Sequence, residues 1–311
     1  MPVLKLIPAC KNYIWGGTRL KDAYGIHSQD ASIAEAWVLS CHPDGPSTIA
    51  EGAYAGKTLA EYIQAQGKSC LGSIPLLFED FPILIKLIDA KNDLSIQVHP
   101  SNKYAMEHEN QYGKTEMWYV LDAEPDASLY MGFSKDLSAE EFSAAIADHS
   151  LVDKLNKVSV KAGDVFYIPP GTIHAIGKGL LIAEVQQNSN VTYRVYDYGR
   201  LGADGKPRDL HIEKAKDVIK FEAHRQVYDF GAHLARCVYF TVDRMDGNFS
   251  DICDDESFTS LVVIDGAGEI ICGTETVTFR KGDSLFLPAE SGTYRVNGAC
   301  SLLRTRVGTI S

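Results

Sequence analysis

The chain has 311 residues, enough for one large or two ordinary domains, and its 45% apolar and 23% charged residues are typical of a globular protein. A net charge of −11 repels nucleic acid and anionic membranes. No apolar run approaches the roughly 20 residues that span a bilayer, and the start lacks the pattern of a secretory signal. We therefore predict a cytoplasmic protein with no nucleic-acid or membrane partner, and we expect a monomer or weak homodimer.

The seven cysteines are scattered, odd in number and free of any CxxC pair. This usage argues against a disulfide framework and against a cysteine zinc site, and it favours free thiols in a reducing compartment.

The first half of the chain changes from a turn-rich start to strands. Leu59, Tyr62 and Ile63 have helical spacing, and Gly67 is placed to end that helix. The predicted elements, in chain order, are a turn-rich segment 1–55, a helix 57–66, a strand 82–88, a strand 94–99 closed by a proline, a polar loop, and a strand 116–121.

The second half begins with a helical stretch over 136–156, for which Ser138 and Glu141 form a capping-box pattern. Strands follow over 164–169, 181–186 and 191–196, then a helix over 211–221, and from 226 onward only short strands and turns. Short strands with Gly and Pro punctuation predict a sandwich or barrel architecture.

An internal repeat favours two barrels. Residues 161–170 and 281–289 both contain a Gly-Asp turn, a buried strand and a proline. His174 stands eleven residues after Gly163, whereas Thr293 stands eleven residues after Gly282, so a homologous second repeat has lost its histidine. We predict a larger domain over 1–225 with helical insertions and a smaller, degenerate barrel over 226–311.

One strand face carries Ser95, Gln97 and His99, while the other face is apolar. Polar residues on a strand face either meet water or line the ligand cavity of a barrel. This face alone leaves both interpretations open.

Further polar residues shift the balance toward a cavity. The spacing Gly163-x5-Pro169-x-Gly171-x2-His174 places an imidazole after a rigid turn, and Glu116 opens a strand nearby. Together with Gln97 and His99 these residues supply two imidazoles, a carboxylate and an amide oxygen. That donor set suits Zn²⁺ or another borderline divalent ion.

At these residues the chain resembles a known family. The segment from Gly163 to His174 matches the second cupin motif, and the sequence blocks that accompany this motif are more specific. Four blocks in this order are similar to type I mannose-6-phosphate isomerases in their short bacterial form: residues 94–100 (LSIQVHP), 113–119 (GKTEMWY), 171–176 (GTIHAI) and 186–194 (QQNSNVTYR).

The resemblance implies a mainly β fold of two cupin-type β-barrels (jelly rolls), with a few helices between and around them. It implies one Zn²⁺ per chain, held by Gln97, His99, Glu116 and His174. It also implies that Lys114 and Arg194 face the substrate. Two departures from the general cupin pattern are usual in this family: Gln97 replaces the first histidine of His-x-His, and Lys178 stands where an asparagine is common.

The implied activity interconverts mannose 6-phosphate and fructose 6-phosphate through a cis-enediol intermediate, which requires a base, oxyanion stabilisation and a grip on phosphate. We assign catalysis to Lys114, Arg194 and Glu184, and substrate binding to Ser95, Lys114 and Arg194. Lys114 and Glu184 are both candidates for the base, and Arg194 can stabilise the enediolate or bind phosphate.

Two other functions stay open from the residues alone. Two histidines and a glutamate also form the facial triad of non-haem iron oxygenases. A sugar-binding cupin without catalysis is the other alternative.

Overall fold

The computed structural model describes residues 3–202 and 205–308, and antiparallel strands dominate it. The predicted mainly β fold class is confirmed. The strands in chain order are β1 Leu4–Ile7, β2 Ala9–Lys11, β3 Glu35–Leu39, β4 Thr48–Ile49, β5 Ile83–Ala90, β6 Ile96–Val98, β7 Glu116–Ala123, β8 Ser128–Phe133, β9 Leu155–Ser159, β10 Val165–Ile168, β11 His174–Ile176, β12 Leu180–Gln187, β13 Tyr193–Tyr196, β14 Ala235–Arg236, β15 Thr241–Asp246, β16 Phe249–Cys253, β17 Thr259–Cys272, β18 Glu275–Arg280, β19 Ser284–Leu287 and β20 Gly292–Arg306.

The helices are short and lie between strands. The α-helices are α1 Arg19–Asp22, α2 Leu59–Gln66, α3 Asn102–Glu109, α4 Ala139–Ala147, α5 Leu151–Lys154 and α6 Ile212–Val218, and three short 3₁₀ helices span Gly52–Tyr54, Lys68–Leu71 and Pro75–Leu77. None of the helices in the described part of the chain has both the length and the apolar character needed to cross a bilayer. All seven cysteines are free thiols.

Two antiparallel sheets form the larger barrel. One has the strand order β10-β7-β12-β5-β3-β2 and the other the order β13-β6-β11-β8-β9. Their facing surfaces enclose an apolar cluster that includes Trp118, Val120, Leu129, Ile176 and Ile182. Facing sheets are held by such interdigitated side chains, so this cluster fixes the distance between the sheets.

Helices cover the outer face of the five-stranded sheet. Phe142 of α4 and Ala215 of α6 are buried beside Ile96, Phe133 and Tyr193. The polar strand β6 therefore has an apolar outer face against helices and a polar inner face toward the other sheet. Of the two interpretations of Ser95, Gln97 and His99, the cavity lining is the one observed, because Ser95 and His99 are buried.

A nine-stranded sheet forms the C-terminal barrel and also includes β1 and β4 from the start of the chain. Its main path runs β14-β15-β20-β17-β19-β1-β4, so β1 pairs with β19 and β4 pairs with β1. One apolar cluster joins Leu4 and Leu6 to Ile85 of the larger barrel and to Phe286 of the smaller one. β1 and β4, from the predicted larger domain, therefore belong to the sheet of the C-terminal barrel. The division into two domains at 225/226 stays a prediction.

The two halves of the internal repeat fold alike. Gly163 and Gly282 both have positive φ, 89° and 93°, and each turn leads into a strand, β10 and β19. An L side chain rarely adopts this conformation, which explains glycine at both places. Thr293 lies in β20 where the first repeat has His174.

Most predicted elements are present with shifted ends. α2 begins after Thr58, whose side chain forms a capping box with Glu61, and Gly67 with φ 85° ends it. The capping box of Ser138 and Glu141 is also formed.

The predicted polar loop between the strands over 94–99 and 116–121 was wrong, because it contains α3, capped by Ser101. Only Ala105 of this helix is fully buried. A helix with so small a buried face needs almost no apolar periodicity, so the sequence gives little sign of it.

Candidate active site

The four predicted metal ligands come from both sheets of the larger barrel. Gln97 lies in β6 and His99 directly follows it, while His174 opens β11 and pairs in register with Gln97. Glu116 opens β7 on the opposite sheet. The structure therefore brings together residues that are 77 positions apart in sequence.

His99, Glu116 and His174 form a buried cluster whose ligand atoms all lie within 4.8 Å of one another. The carboxylate of Glu116 is 3.6 Å from Nε2 of His99 and 3.3 Å from Nε2 of His174. The amide nitrogen of Gln97 is 3.5 Å from Nε2 of His174, and rotation of the amide would present its oxygen instead. Gln97 as the fourth ligand stays a prediction.

Both imidazoles present a lone pair to the cluster. Nδ1 of His99 is 2.9 Å from the carbonyl oxygen of Val191, and Nδ1 of His174 is 2.8 Å from that of Thr172. A carbonyl oxygen only accepts, so Nδ1 must donate and Nε2 is left unprotonated. Burial lowers the pKa of His99 well below its ordinary value and that of His174 to about 4, which keeps both rings neutral.

In the described part of the chain, one oxygen of the buried Glu116 carboxylate lacks a hydrogen-bond donor, while the other contacts Lys114. Among the described residues none donates a well-formed hydrogen bond to Oε1, although the side chain is fully buried. Burial and the nearby charge of Glu184 raise the pKa of Glu116. A divalent cation between this carboxylate and two neutral imidazoles would satisfy all three groups.

Close backbone packing places Lys114 at the cluster. Gly113 lies so near Ser101 and Pro100 that a Cβ would come within 2.4 Å of main-chain atoms. The amide of Lys114 donates to the carbonyl oxygen of Pro100 at 3.1 Å. Only glycine permits this approach, which brings Lys114 beside His99 at the end of β6.

Lys114 contacts the same atoms that would bind a metal. Its Nζ is 2.6 Å from Oε2 of Glu116 and 3.2 Å from Nε2 of His99. The side chain is buried and also lies 3.6 Å from Oε1 of Glu184. Lys114 and Glu116, two positions apart in sequence, therefore meet at the same cluster.

Glu184 of β12 is held by two lysines and a tryptophan. Its Oε1 is 3.2 Å from Nζ of Lys86, and its Oε2 accepts from the indole of Trp118 at 2.9 Å. Burial acts to raise the pKa of Glu184, but Lys114 and Lys86 outweigh it, so the net shift is downward and the group is ionised. Lys86 in turn lies 3.6 Å from Glu35.

An open cavity of about 270 Å³ is lined by Lys86, Lys114 and Glu184. Arg194 of β13 pairs in register with Gln97, and its Nε donates to the hydroxyl of Ser95 at 3.3 Å. All the predicted catalytic and substrate-binding residues line this cavity, together with one predicted ligand: Ser95, Gln97, Lys114, Glu184 and Arg194.

Three charged residues that were not predicted also line this cavity: Glu35, Lys86 and Arg208. Lys86 had a detectable signal, because it stands in the apolar run Ile83–Ala90, all of which is buried. A lysine there requires a buried partner. Glu35 carries the same signal, because it interrupts the apolar run of residues 33–39. Arg208 stands in a polar segment, so nothing local sets it apart.

The jelly-roll sheets and the buried His–Glu–His cluster define the class of this protein as a cupin with a candidate metal centre. Family models agree: "Phosphomannose isomerase type I, catalytic domain" matches residues 3–130 and "Mannose-6-phosphate isomerase, cupin domain" matches residues 232–307. The mannose-6-phosphate isomerase ManA of Bacillus subtilis is 39% identical over 94% of both chains. The chain belongs to the type I phosphomannose isomerase family.

Other similarities agree over the whole length. The mannose-6-phosphate isomerase of Streptococcus mutans is 38% identical over 93% of both chains. A crystal structure of the mannose 6-phosphate isomerase from Bacillus subtilis superposes with a TM-score of 0.88 at 37% identity, covering 98% of this chain and 99% of that one. The apo enzyme of Salmonella typhimurium, at 20% identity and a TM-score of 0.77, shares the fold.

Proposed function

We propose that this protein is a zinc-dependent aldose–ketose isomerase that interconverts mannose 6-phosphate and fructose 6-phosphate through a cis-enediol intermediate. The observation that carries the proposal is the buried His99–Glu116–His174 cluster beside Lys114, in a cavity that also contains Arg194. The relatives named above support the substrate. The expected cytoplasmic location, assembly and lack of other partners stay predictions.

The donor set fits a borderline divalent ion. Two neutral imidazoles and one carboxylate, with Gln97 as a fourth ligand, would hold Zn²⁺ and leave a position for substrate. When bound, the metal would supply Lewis acidity toward the oxygens on C1 and C2. Proton transfer and substrate binding are then carried out by side chains of the protein.

Lys114 and Glu184 are the proton-carrying pair in our proposal. A proton must leave C2 of the aldose and return at C1, so a group within reach must accept and redeliver it. Lys114 and Glu184 lie 3.6 Å apart and line one cavity, and Glu184 is kept ionised by Lys86 and Lys114. An ionised carboxylate can accept the proton, while an ammonium beside it can donate to a developing oxyanion.

Arg194 and Ser95 bind substrate in this proposal. The hydroxyl of Ser95 orients Nε of Arg194, and the guanidinium projects into the cavity from the strand beside Gln97. A planar guanidinium matches phosphate or enediolate oxygens with paired hydrogen bonds.

A coupled assay starting from mannose 6-phosphate tests the activity. We expect turnover that a chelator abolishes and zinc restores, together with about one zinc per chain by elemental analysis. In D₂O, proton transfer through an enediol should place solvent deuterium on C1 of the fructose 6-phosphate formed. Oxygen consumption without isomerisation would favour the iron oxygenase alternative, and sugar binding without turnover would favour the binding protein.

A further inference from the structure

The backbone on either side of Lys114 is held by two side-chain amides. The amide of Gly113 donates to Oδ1 of Asn102 at 2.9 Å, and the amide of Thr115 donates to Oε1 of Gln187 at 2.8 Å. A backbone N–H can only donate, so an oxygen must face it in each case. The orientations of both side-chain amides are therefore fixed.

The two side-chain amides are also joined to each other. Nε2 of Gln187 donates to Oδ1 of Asn102 at 2.8 Å, so that one oxygen accepts two hydrogen bonds. Gln187 ends β12 and is buried, whereas Asn102 begins α3 and is half-buried. We call Asn102 and Gln187 the amide clamp, because they hold the segment 113–115 from two different elements.

The C-terminal barrel completes the amide clamp. Tyr239 lies in the turn between β14 and β15 of the nine-stranded sheet, and its hydroxyl accepts from Nδ2 of Asn102 at 2.8 Å. The amide of Cys237 closes this turn by donating to the carbonyl oxygen of Phe240 at 2.9 Å. Phe240 is fully buried in the apolar cluster that the two barrels share. An anchored hairpin therefore places the Tyr239 hydroxyl.

These contacts matter because of the place from which Lys114 must act. A lysine carries its ammonium on a flexible stem, so the position of its main chain decides which atoms the ammonium can reach. Misplacing a reacting group by about 1 Å costs on the order of 10²-fold in rate. Side chains that lock the backbone on both sides of Lys114 therefore act on the reaction through this lysine.

We infer that Asn102 and Tyr239 are positioning residues for Lys114, and that the C-terminal barrel contributes to catalysis through them. The inference rests on the proposed function, because it takes Lys114 as a proton-carrying residue. Neither Asn102 nor Tyr239 lines the cavity, so their effect passes through the backbone of the segment 113–115.

The experiment compares Asn102→Leu and Tyr239→Phe with the wild type at confirmed zinc occupancy. Asn102→Leu keeps a branched side chain but removes three hydrogen bonds, and we expect kcat for mannose 6-phosphate to fall about 10- to 100-fold. Tyr239→Phe removes one neutral hydrogen bond farther from the lysine, so kcat should fall about 2- to 10-fold. KM should change less than about threefold in both variants, because Arg194 and Ser95 keep their mutual contact.

Asn156→Leu and Tyr228→Phe are the matched controls. Asn156 of β9 is half-buried, as Asn102 is, and donates to the carbonyl oxygen of Met131 at 3.3 Å. Tyr228 is half-buried, as Tyr239 is, and its ring stacks on Phe230. Neither control should change kcat by more than about twofold, because substitutions at separate sites act independently.

A double-mutant cycle separates positioning from a merely structural role. Once Lys114→Ala has removed the lysine, adding Asn102→Leu should lower the single-turnover rate by less than about threefold. A structural defect would lower the rate equally in both backgrounds. Asn102→Asp keeps an oxygen for Gly113 and Gln187 and can accept from Tyr239, so its kcat should stay within about threefold of wild type.

Wild-type kcat in Asn102→Leu would overturn the inference, as would an equal loss in the Lys114→Ala background. Wild-type kcat in Tyr239→Phe would overturn the role of the C-terminal barrel. If Asn102→Leu melts well below wild type, Tyr239→Phe measured in both backgrounds decides.

A wild-type protein without isomerase activity would refute the proposed function instead. Amide hydrogen exchange followed by NMR would then still test the amide clamp. Asn102→Leu should speed exchange at Gly113 and Thr115 by at least about tenfold, while Asn156→Leu leaves it unchanged. Unchanged exchange in Asn102→Leu would show that the clamp does not hold this segment.

Discussion

Lys114 occupies an unusual position for a charged side chain, because it is buried against two groups that we assign to the metal. Its ammonium contacts Oε2 of Glu116 and Nε2 of His99, both at hydrogen-bonding distance. A cation bound by those atoms and this lysine contact compete for the same lone pairs. With metal bound, the lysine should therefore turn toward the cavity, where a substrate oxygen can replace the lost contacts.

Lys114→Ala should separate catalysis from metal binding. We expect a single-turnover rate lower by about 10²–10⁴-fold, the usual contribution of a positioned acid–base group. Zinc content should be unchanged and zinc affinity equal or higher, since removal of a neighbouring positive charge favours a dication.

Rapid-quench measurements on protein of confirmed zinc occupancy provide the test. Lys161→Ala is the control, because the side chain of Lys161 pairs with Asp164 in an exposed turn. Near-normal turnover in Lys114→Ala would remove this lysine from the mechanism.

The elements that hold the site were predictable where local chemistry dictates them. The turn at Gly171, with φ 85°, aims His174 and donates its amide to the carbonyl oxygen of His99 at 2.9 Å. Gly, Pro and His at fixed spacing reveal such a turn in the sequence. The family resemblance supplied the rest of the ligand set, because Glu116 approaches the histidines only through the packing of two sheets.

Other features depend on long-range pairing and left no local signal. The insertion of β1 beside β19 joins residues about 280 positions apart, and a strand of four residues has the same sequence pattern whichever barrel it joins. Arg208 lines the cavity and donates to Asp197, although its own sequence segment is polar. Sequence periodicity reports which face of an element is buried, and it does not report which partner buries it.

The N-terminal strand provides a test of how the barrels share their core. Leu6 is 4% exposed and packs in the cluster common to both barrels, whereas the adjacent Ile7 is 49% exposed. We expect Leu6→Ala to lower the free energy of unfolding by about 2–4 kcal/mol, the usual cost of emptying a buried leucine site.

Ile7→Ala is the matched control on the same strand and should cost less than about 0.5 kcal/mol, as expected for a surface position. Urea denaturation followed by tryptophan fluorescence measures both variants. Equal losses of stability would show that β1 contributes little to the shared core.

Across the whole molecule, the residues that we assign to the metal come from both sheets of the larger barrel. His99 and His174 stand on one sheet and Glu116 on the other. A metal that binds only the folded state stabilises it by about 2.7 kcal/mol at a free concentration 100 times its Kd. We therefore expect chelation to lower the melting temperature of the wild-type protein by several degrees.

Glu116→Gln is the control for this prediction, because it removes the only ligand contributed by the six-stranded sheet among our assigned residues. Its melting temperature should be insensitive to zinc and to chelator in scanning calorimetry. A wild-type melting temperature that chelation leaves unchanged would contradict a metal bridging the sheets.

The pairing of β1 with β19 also has a consequence during synthesis on the ribosome. Leu4 leaves the exit tunnel about 280 residues before its partner Phe286. At roughly 5–20 residues per second, that delay lasts on the order of 15–60 s. During this interval the nascent chain carries β1 without one of its two neighbours, so chaperones that shield emerging apolar strands should matter more for this protein than for one whose barrels close in sequence order.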